Sequence, residues 1–241
     1  MFYRENSQLS TGAHFGIFQK CFSLCDRLLE LIFPKKCLLC KKEGTAFCAR
    51  CRSQIPLETS PLAHDTISVW QYDHPSLRRA LWLLKYRGKQ ELAHDLAESL
   101  YDKLMEMLSE NELFADPSGK TAATYVILPI PIHKERRKER GYNQSELLAL
   151  ELAFLDPSLF SMETGVLVKV RQTPSQVSVK DREQRLRNIH GSFAVICAEK
   201  IRGKNVIVVD DVTTTGATLA EARKVLRKAG AKSVICATLA H

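Results

Sequence analysis

The pattern of apolar and polar positions changes about halfway along the chain. In the first half, apolar residues recur at helical spacing and predict helices over residues 18–33, after Asp73 and over residues 92–104. In the second half, short apolar runs alternate with helical segments, and the runs cover residues 125–132, 166–170, 193–196, 206–209 and 234–239. Buried strands separated by helical crossovers predict an α/β fold with a parallel sheet that is covered on both faces.

The same pattern divides the chain into three regions. Residues 1–17 show no period and are predicted to be a disordered leader. Residues 18–60 combine the first helix with a cysteine-rich segment and are predicted to form a small head, and residues 61–241 form the main domain. A chain of 241 residues, 45% of them hydrophobic, is long enough for one sizeable core and a small appendage.

Four cysteines in the head have the spacing C-x2-C-x7-C-x2-C, and they are Cys37, Cys40, Cys48 and Cys51. Two such CxxC turns can converge on one Zn²⁺, and four thiolates leave no open position for catalysis, so the expected zinc is structural. Disulfides are the alternative, which the missing export signal disfavours. Cys21 and Cys25 lie on the apolar face of the first predicted helix, where burial is favoured over a role as further ligands.

The charge of the chain favours anionic partners. Its 35 Lys and Arg exceed its 27 Asp and Glu, giving a net charge of +8. This excess suits phosphates, nucleotides or nucleic acid, and a solvated basic surface is the alternative. No apolar run approaches the roughly 18–20 residues of a membrane span, and no signal peptide is recognisable. We therefore expect a cytoplasmic chain whose cysteines are reduced.

The candidate chemistry is concentrated in residues 206–221. An apolar run leads into Asp210 and Asp211, and a short turn then opens a helix; the turn residues are Thr213, Thr214, Thr215, Gly216, Ala217 and Thr218. A turn at a helix N-terminus offers backbone N–H groups and hydroxyls to a phosphate. The two carboxylates repel a phosphate and suit hydroxyls or Mg²⁺. A ligand with a phosphate and vicinal hydroxyls, such as ribose 5-phosphate, satisfies both halves.

Two other interpretations of this segment are available. A P-loop nucleotidase would need G-x-x-x-x-G-K-[ST] after a strand. The chain's Gly119-Lys120-Thr121 has Phe114 at the position of the first glycine and precedes a strand, which argues against that class. An ordinary strand-to-helix turn without a ligand remains the second alternative.

Two basic segments provide further candidates. Residues 134–140 contain five cationic residues and are predicted to form a loop before a helix capped by Asn143. Residues 171–187 form a second, longer basic segment whose length is typical of a lid. Solvated loops are the alternative for both. Lys85 and Arg87 either face the same anion or lie in water, and His133 is more simply structural than ligand-binding.

Residues 206–221 resemble the ribose-phosphate-binding motif of type I phosphoribosyltransferases. Further blocks over residues 28–241 resemble the ComF family, including ComFC-type competence proteins. These blocks are Pro129-Ile-Pro131-Ile-His133, Arg140-Gly-Tyr-Asn-Gln144, Arg171-Gln-Thr-Pro-Ser-Gln176, Arg182, Arg187-Asn188 and Gly191-Ser-Phe193.

The resemblance implies a type I phosphoribosyltransferase-like domain behind a zinc-ribbon-like head. It implies that the chain binds 5-phosphoribosyl 1-pyrophosphate with Mg²⁺, that Asp210 and Asp211 are the catalytic pair, and that Arg140, Arg171 and Arg182 join the turn in binding the ligand. It also implies a part in natural transformation, with single-stranded DNA and a helicase-like protein as partners. Catalytic transfer and binding without turnover both remain open, and no acceptor is identified.

Overall fold

A computed structural model describes residues 34–63, 65–110, 124–171 and 189–241. The chain divides into two compact units, residues 1–46 and 47–241. The predicted leader, the first predicted helix with Cys21 and Cys25, most of the lid segment and Arg182 lie outside the described residues. The domain boundaries that the sequence suggests at residues 17 and 60 stay predictions.

The larger unit alternates strands with helices. Its strands are β1 (Thr66–Trp70), β2 (Tyr125–Pro129), β3 (Phe160–Met162), β4 (Leu167–Lys169), β5 (Phe193–Val195), β6 (Asn205–Val212) and β7 (Ser233–Ala240). Its helices are α1 (Ala49–Arg52), α2 (Pro75–Tyr86), α3 (Leu92–Glu110), α4 (Lys134–Arg140), α5 (Gln144–Leu155) and α6 (Ala217–Lys228), with a 3-10 turn at Ala198–Lys200.

Five of the strands form one parallel sheet in the order β1-β7-β6-β2-β3. The connection from β2 leads through α5 to β3 on one side, whereas β6 and then β7 continue the sheet on the other side. The strand order therefore reverses between β2 and β6. In open α/β sheets, ligands bind at such a reversal, beyond the carboxyl ends of the strands.

Both faces of the sheet are covered, as the continuous apolar runs predict. Helices α3 and α5 pack on one face, and α6 packs on the other. The α6 face buries a core in which Val126, Val206 and Val234 meet Leu219 and Leu226. Strands β6 and β7 are buried along most of their length, so the carboxyl end of β6 is held on a rigid support.

Two of the apolar runs form strands as predicted, but the prediction that they belong to the parallel sheet was wrong. Strands β4 and β5 form a separate two-stranded antiparallel ribbon and do not join the parallel sheet. A short apolar run does not reveal its partner, and here only one side of the ribbon is buried, with Leu167 and Phe193 against the α6 core. The three-residue strand β3, which has no clear sequence signal, completes the main sheet beside β2.

The first basic segment is a helix, not the predicted loop. Helix α4 has no buried residue and therefore no apolar stripe by which periodicity could reveal it. Local capping defines it instead: His133 Nδ1 accepts a hydrogen bond from Glu135 N–H at 3.4 Å, and Gly141 ends the helix with φ 80°. The predicted cap of the following helix is confirmed, since the Asn143 side chain accepts from Ser145 N–H at 3.1 Å.

No helix in the described part of the chain has the length and apolarity that a membrane crossing requires. In the smaller unit, residues 34–46 form a tight antiparallel turn: Lys36 bridges Glu43, and Cys37 N–H donates to Lys42 O at 2.8 Å. Within the larger unit, the segment around α1 is anchored on α3. Phe47 N–H donates to the buried Asp95 carboxylate at 2.8 Å, and Arg52 contacts Glu98 at 2.6 Å.

Candidate functional site

The two aspartates lie near the carboxyl end of β6, the central strand of the sheet. Strand β6 extends beyond the predicted apolar run, and Asp210 pairs with Thr238 and Val212 with Ala240 of β7. Asp210 Oδ1 accepts a hydrogen bond from the Ser145 hydroxyl of α5 at 2.9 Å and another from Asp211 N–H at 2.9 Å. The carboxylate is thus oriented by the strand that carries it and by α5, the helix that carries Ser145.

Asp211 is 8% exposed and forms an ion pair with Lys85, with Nζ and Oδ2 2.5 Å apart. Lys85 comes from the last turn of α2, far away in the sequence. Burial opposes the charge on Lys85, but the charge and hydrogen bond of Asp211 and the charge of Asp210 together outweigh it, so the pKa of Lys85 is raised above its ordinary value. Lys85 is therefore charged at neutral pH, and it faces the candidate site and not bulk water.

Asp210 has the most strongly perturbed carboxyl group of the site. Burial and, after it, the neighbouring Asp211 carboxylate raise the pKa of Asp210 to about 7. The hydrogen bonds from Asp211 N–H and Ser145, together with the charge of Lys85, act in the opposite direction and are outweighed. The folded protein therefore disfavours the ionised form of Asp210, so a change in its surroundings can shift its charge.

The threonine turn has the geometry of an anion cradle. Gly216 caps α6 with φ 71°, a left-handed conformation that a residue with a Cβ adopts only with strain. The turn is fixed at both ends: Thr213 N–H donates to Ala240 O at 2.9 Å, and Thr215 Oγ1 accepts from Ala217 N–H at 3.4 Å. The N-terminal end of α6, with its partial positive charge, opens at this turn.

The carboxylates, the turn and several basic side chains share one cavity of about 360 Å³. Four cationic residues line it, namely Lys85, Arg136, Arg140 and Lys169. Its remaining polar and aromatic walls include Tyr72, Tyr86, Gln144, Ser145, Ser192, Thr214 and Thr218. A carboxylate pole and a cationic region in one cavity suit a ligand that carries hydroxyls at one end and phosphates at the other.

Arg140 is held in place by neighbours from two other elements. Its guanidinium donates to Gln144 Oε1 at 2.9 Å and to the Tyr86 hydroxyl at 3.2 Å, and it lies 4.9 Å from the centre of the Tyr86 ring. Lys169 of the β4–β5 ribbon also faces the cavity. Burial, followed by the charge of Arg136, lowers the pKa of Lys169, and its ammonium lies 5.8 Å from the centre of the Phe193 ring.

The structure brings most of the predicted residues to this cavity. Asp210, Asp211, Thr214, Thr218 and Arg140 line it, while the other turn residues, Thr213, Thr215, Gly216 and Ala217, shape the cradle. Arg171 is exposed and is not among the lining residues, and Arg182 lies outside the described residues.

Sequence reasoning missed three polar contributors. Ser145 stands two residues after the predicted helix cap Asn143, Lys169 lies in a short apolar run, and Tyr72 precedes the helix that follows Asp73. Lys85 was ambiguous, and the structure places it in the site. None of these has a local signal, because the fold alone brings α2, α5 and the ribbon to the end of β6.

The four cysteines of the head form the second candidate site. Their sulfurs all lie within 4.8 Å of one another. Four thiolates about 2.3 Å from a tetrahedral Zn²⁺ would be about 3.8 Å apart, so the sulfurs are close enough together to converge on this ion. Cys37, Cys48 and Cys51 are buried and Cys40 is exposed, which suits a closed structural site.

The sheet order, the acidic pair and the threonine turn define the class: this is a protein with a phosphoribosyltransferase-type fold. Residues 145–241 match the Phosphoribosyl transferase domain, a range that contains Ser145, the aspartate pair and the turn. A hypoxanthine phosphoribosyltransferase structure from Staphylococcus aureus aligns with 60% of this chain and 62% of its own, at 13% identity and a TM-score of 0.36.

Full-length relatives narrow the class to a family. Competence protein F of Haemophilus influenzae is 30% identical over 213 residues, which cover 82% of this chain and 86% of that protein. DNA utilization protein YhgH of Salmonella typhimurium is 28% identical over 94% of this chain and 92% of its own length. Competence protein ComFC of Bacillus subtilis is 29% identical over 91% and 82%. The chain belongs to the ComF family.

Proposed function

We propose that the chain binds 5-phosphoribosyl 1-pyrophosphate, or a related sugar phosphate, together with Mg²⁺. The observation that carries the proposal is the placement of the Asp210 and Asp211 carboxylates and the threonine turn in one cavity with four cationic side chains. The turn would hold the 5-phosphate through backbone N–H groups and hydroxyls. The carboxylates would accept hydrogen bonds from the ribose hydroxyls, and the cationic side chains would face the pyrophosphate.

The same arrangement supports group transfer. When the bond between ribose C1 and the pyrophosphate oxygen breaks, the electron pair leaves on the pyrophosphate and positive charge develops on the sugar. Arg136, Arg140 and Lys169 would stabilise the leaving group, while Asp210 and Asp211 would stabilise the sugar. Mg²⁺, carried on the pyrophosphate, would neutralise further negative charge. The acceptor then forms the new bond to C1.

The names of the relatives link this site to DNA uptake. Two of them are called competence proteins and a third a DNA utilization protein. We infer a cytoplasmic role in the handling of incoming single-stranded DNA, beside a helicase-like partner. The alternative is an uptake factor or an effector-binding regulator that uses the cavity without turnover. The cationic side chains around the cavity support such a binding protein as well as they support a transferase.

Calorimetry with inorganic phosphate, ribose 5-phosphate and the pyrophosphorylated sugar, each with and without Mg²⁺, tests the binding proposal. Gly216→Val should weaken all three because it distorts the cradle, whereas Asp210→Asn should weaken only the two sugars. Gly203, at φ 70° and away from the cavity lining, gives a matched control: Gly203→Val brings similar backbone strain without loss of binding. A wild-type protein that binds none of the three would disprove the proposal.

Release of pyrophosphate separates an enzyme from a binding protein. The wild-type protein is incubated with the pyrophosphorylated sugar, Mg²⁺ and a panel of acceptors that includes nucleobases and ammonia. Release that depends on one acceptor would establish a transferase. Tight binding of the sugar without release for any acceptor would favour the non-catalytic alternative.

We further propose that the cysteine cluster holds one structural Zn²⁺. The support is the donor set, four thiolates from two CxxC turns that already lie within 4.8 Å of one another. Thiolates are the ligands that structural zinc sites prefer. The ion would fix both turns of a segment that is too small to have a core of its own.

A further inference from the structure

Helix α2 has two faces of different character. Leu77, Leu81 and Leu84 are buried against the domain. On the opposite face, Arg78, Trp82 and Tyr86 follow one another at intervals of four residues, so they lie in a row along the helix. Trp82 is 49% exposed and Tyr86 56%, which leaves two large aromatic rings in contact with solvent.

Arginine side chains accompany each ring of this region. Arg87 lies 5.5 Å from the centre of the Trp82 ring, Arg140 lies 4.9 Å from that of Tyr86, and Arg78 lies 5.7 Å from that of Tyr72. We call this surface the arginine–aromatic stripe, and its members are Tyr72, Arg78, Trp82, Tyr86, Arg87 and Arg140. Within the described residues, Arg78 and Arg87 have no carboxylate partner.

The stripe runs into the cavity described above. Tyr72, Tyr86 and Arg140 belong both to the stripe and to the cavity lining, whereas Arg78, Trp82 and Arg87 lie outside the lining. The indole of Trp82 and the phenol of Tyr86 have ring centres 6.4 Å apart and are inclined at 46°. The rings are thus separate surfaces and do not cover each other.

We propose that the arginine–aromatic stripe binds single-stranded nucleic acid and leads it to the cavity. Exposed aromatic rings provide a stacking surface for unpaired bases, and the arginines beside them attract the phosphate backbone. Double-stranded nucleic acid offers only phosphates to such a surface, because its bases are already stacked on one another. The inference deepens the proposed link to DNA uptake by naming the surface on which the strand lies.

Tryptophan fluorescence gives a direct test on the full chain, since Trp82 is exposed and the only other tryptophan, Trp70, is buried. A thymidine oligonucleotide should quench the emission of Trp82. Trp82→Ala should weaken binding roughly 5- to 150-fold, and Trp82→Phe should retain most of the affinity while abolishing the quench. Phe154, 77% exposed on α5, provides the control Phe154→Ala, which should bind normally.

The salt dependence tests the arginines separately. Arg78→Gln and Arg87→Gln should each lower the slope of log affinity against log salt by about 0.7, and Lys228→Gln on the exposed end of α6 should not. Full strand affinity in Trp82→Ala would overturn the proposal and leave protein docking as the use of the stripe. Equal affinity for single strands and duplex would also overturn it.

The outcome is independent of the sugar-phosphate site. Trp82→Ala and Arg78→Gln should bind ribose 5-phosphate as the wild type does in calorimetry, because neither residue lines the cavity. If the wild type binds sugar phosphates but does not bind single-stranded nucleic acid, only the proposal for the stripe is refuted. Normal strand binding without sugar-phosphate binding would refute only the function proposed for the cavity.

Discussion

Asp210→Asn is expected to stabilise the protein at alkaline pH and to weaken its ligand binding at the same time. The Asp210 carboxyl lies beside Asp211 and beneath the Ser145 hydroxyl, and burial and the Asp211 charge raise its pKa from 3.8 to about 7. Ionising this group in the folded protein therefore costs free energy. Asparagine keeps an oxygen that can accept from Ser145 and from Asp211 N–H, but it has no charge.

The sign and size of the effect follow from the raised pKa. A carboxyl whose pKa is higher in the folded than in the unfolded state stabilises the fold fully below the unfolded pKa, and this contribution is lost as the pH rises through the folded pKa. At about 1.4 kcal/mol per pKa unit, the whole loss is about 4 kcal/mol. Between pH 5 and pH 8, the free energy of unfolding of the wild type should fall by about 2–3 kcal/mol relative to Asp210→Asn.

Urea unfolding at pH 5, 6, 7 and 8 measures this difference. The exposed Asp102 of α3 supplies the control Asp102→Asn, whose pH profile should stay parallel to that of the wild type. In calorimetry, Asp210→Asn should bind ribose 5-phosphate about 10- to 150-fold more weakly, because a charge-assisted hydrogen bond is lost. Parallel stability profiles for wild type and Asp210→Asn would refute the account of the carboxyl pair.

Two further predictions concern the ion pair and the cysteines. Lys85→Met should lower the free energy of unfolding by about 3–5 kcal/mol at pH 8 and by less at pH 5, because it leaves two adjacent carboxylates without their cation. Urea unfolding measures this loss. The exposed pair of Lys89 and Glu91 gives the control Lys89→Met, which should cost below about 1 kcal/mol. Metal analysis should find one zinc per chain, and chelation should unfold the cysteine turns before the sheet. The prediction is contradicted if no zinc is found, or if the turns stay ordered in the double variant Cys37→Ser, Cys48→Ser.

The parts of the fold that the sequence predicts well are those with long, regular patterns. The buried run of β6, the helix that follows the threonine turn and the final strand β7 all lie close to their predicted positions. Each has its own period and its own end signal, so its conformation is decided locally. The aspartates and the threonine turn lie within these regular segments. The sequence alone therefore predicts their position at the ligand-binding edge of the sheet.

The remaining features depend on contacts between distant segments. Helix α4 has no apolar face, and the antiparallel pairing of β4 with β5 is decided by packing against the α6 core. Lys85 reaches Asp211 across 126 positions of sequence, a separation that periodicity does not bridge. Ser145 likewise meets Asp210 only because α5 follows β2, the strand beside β6.

The charged side chains of the cavity are arranged to bind a ligand, and their arrangement does not favour the stability of the fold. Burial and like charges disfavour the ionised form of Asp210, and burial together with Arg136 disfavours the ionised form of Lys169. Both groups face one cavity, and among the described residues neither Asp210 nor Lys169 has an oppositely charged side chain in contact, whereas Asp211 has Lys85. Hydroxyls at the carboxylates and phosphates at the cationic side chains would relieve both penalties together. A sugar phosphate offers these groups in one molecule, so its binding gains from charges that the folded chain alone leaves under-compensated.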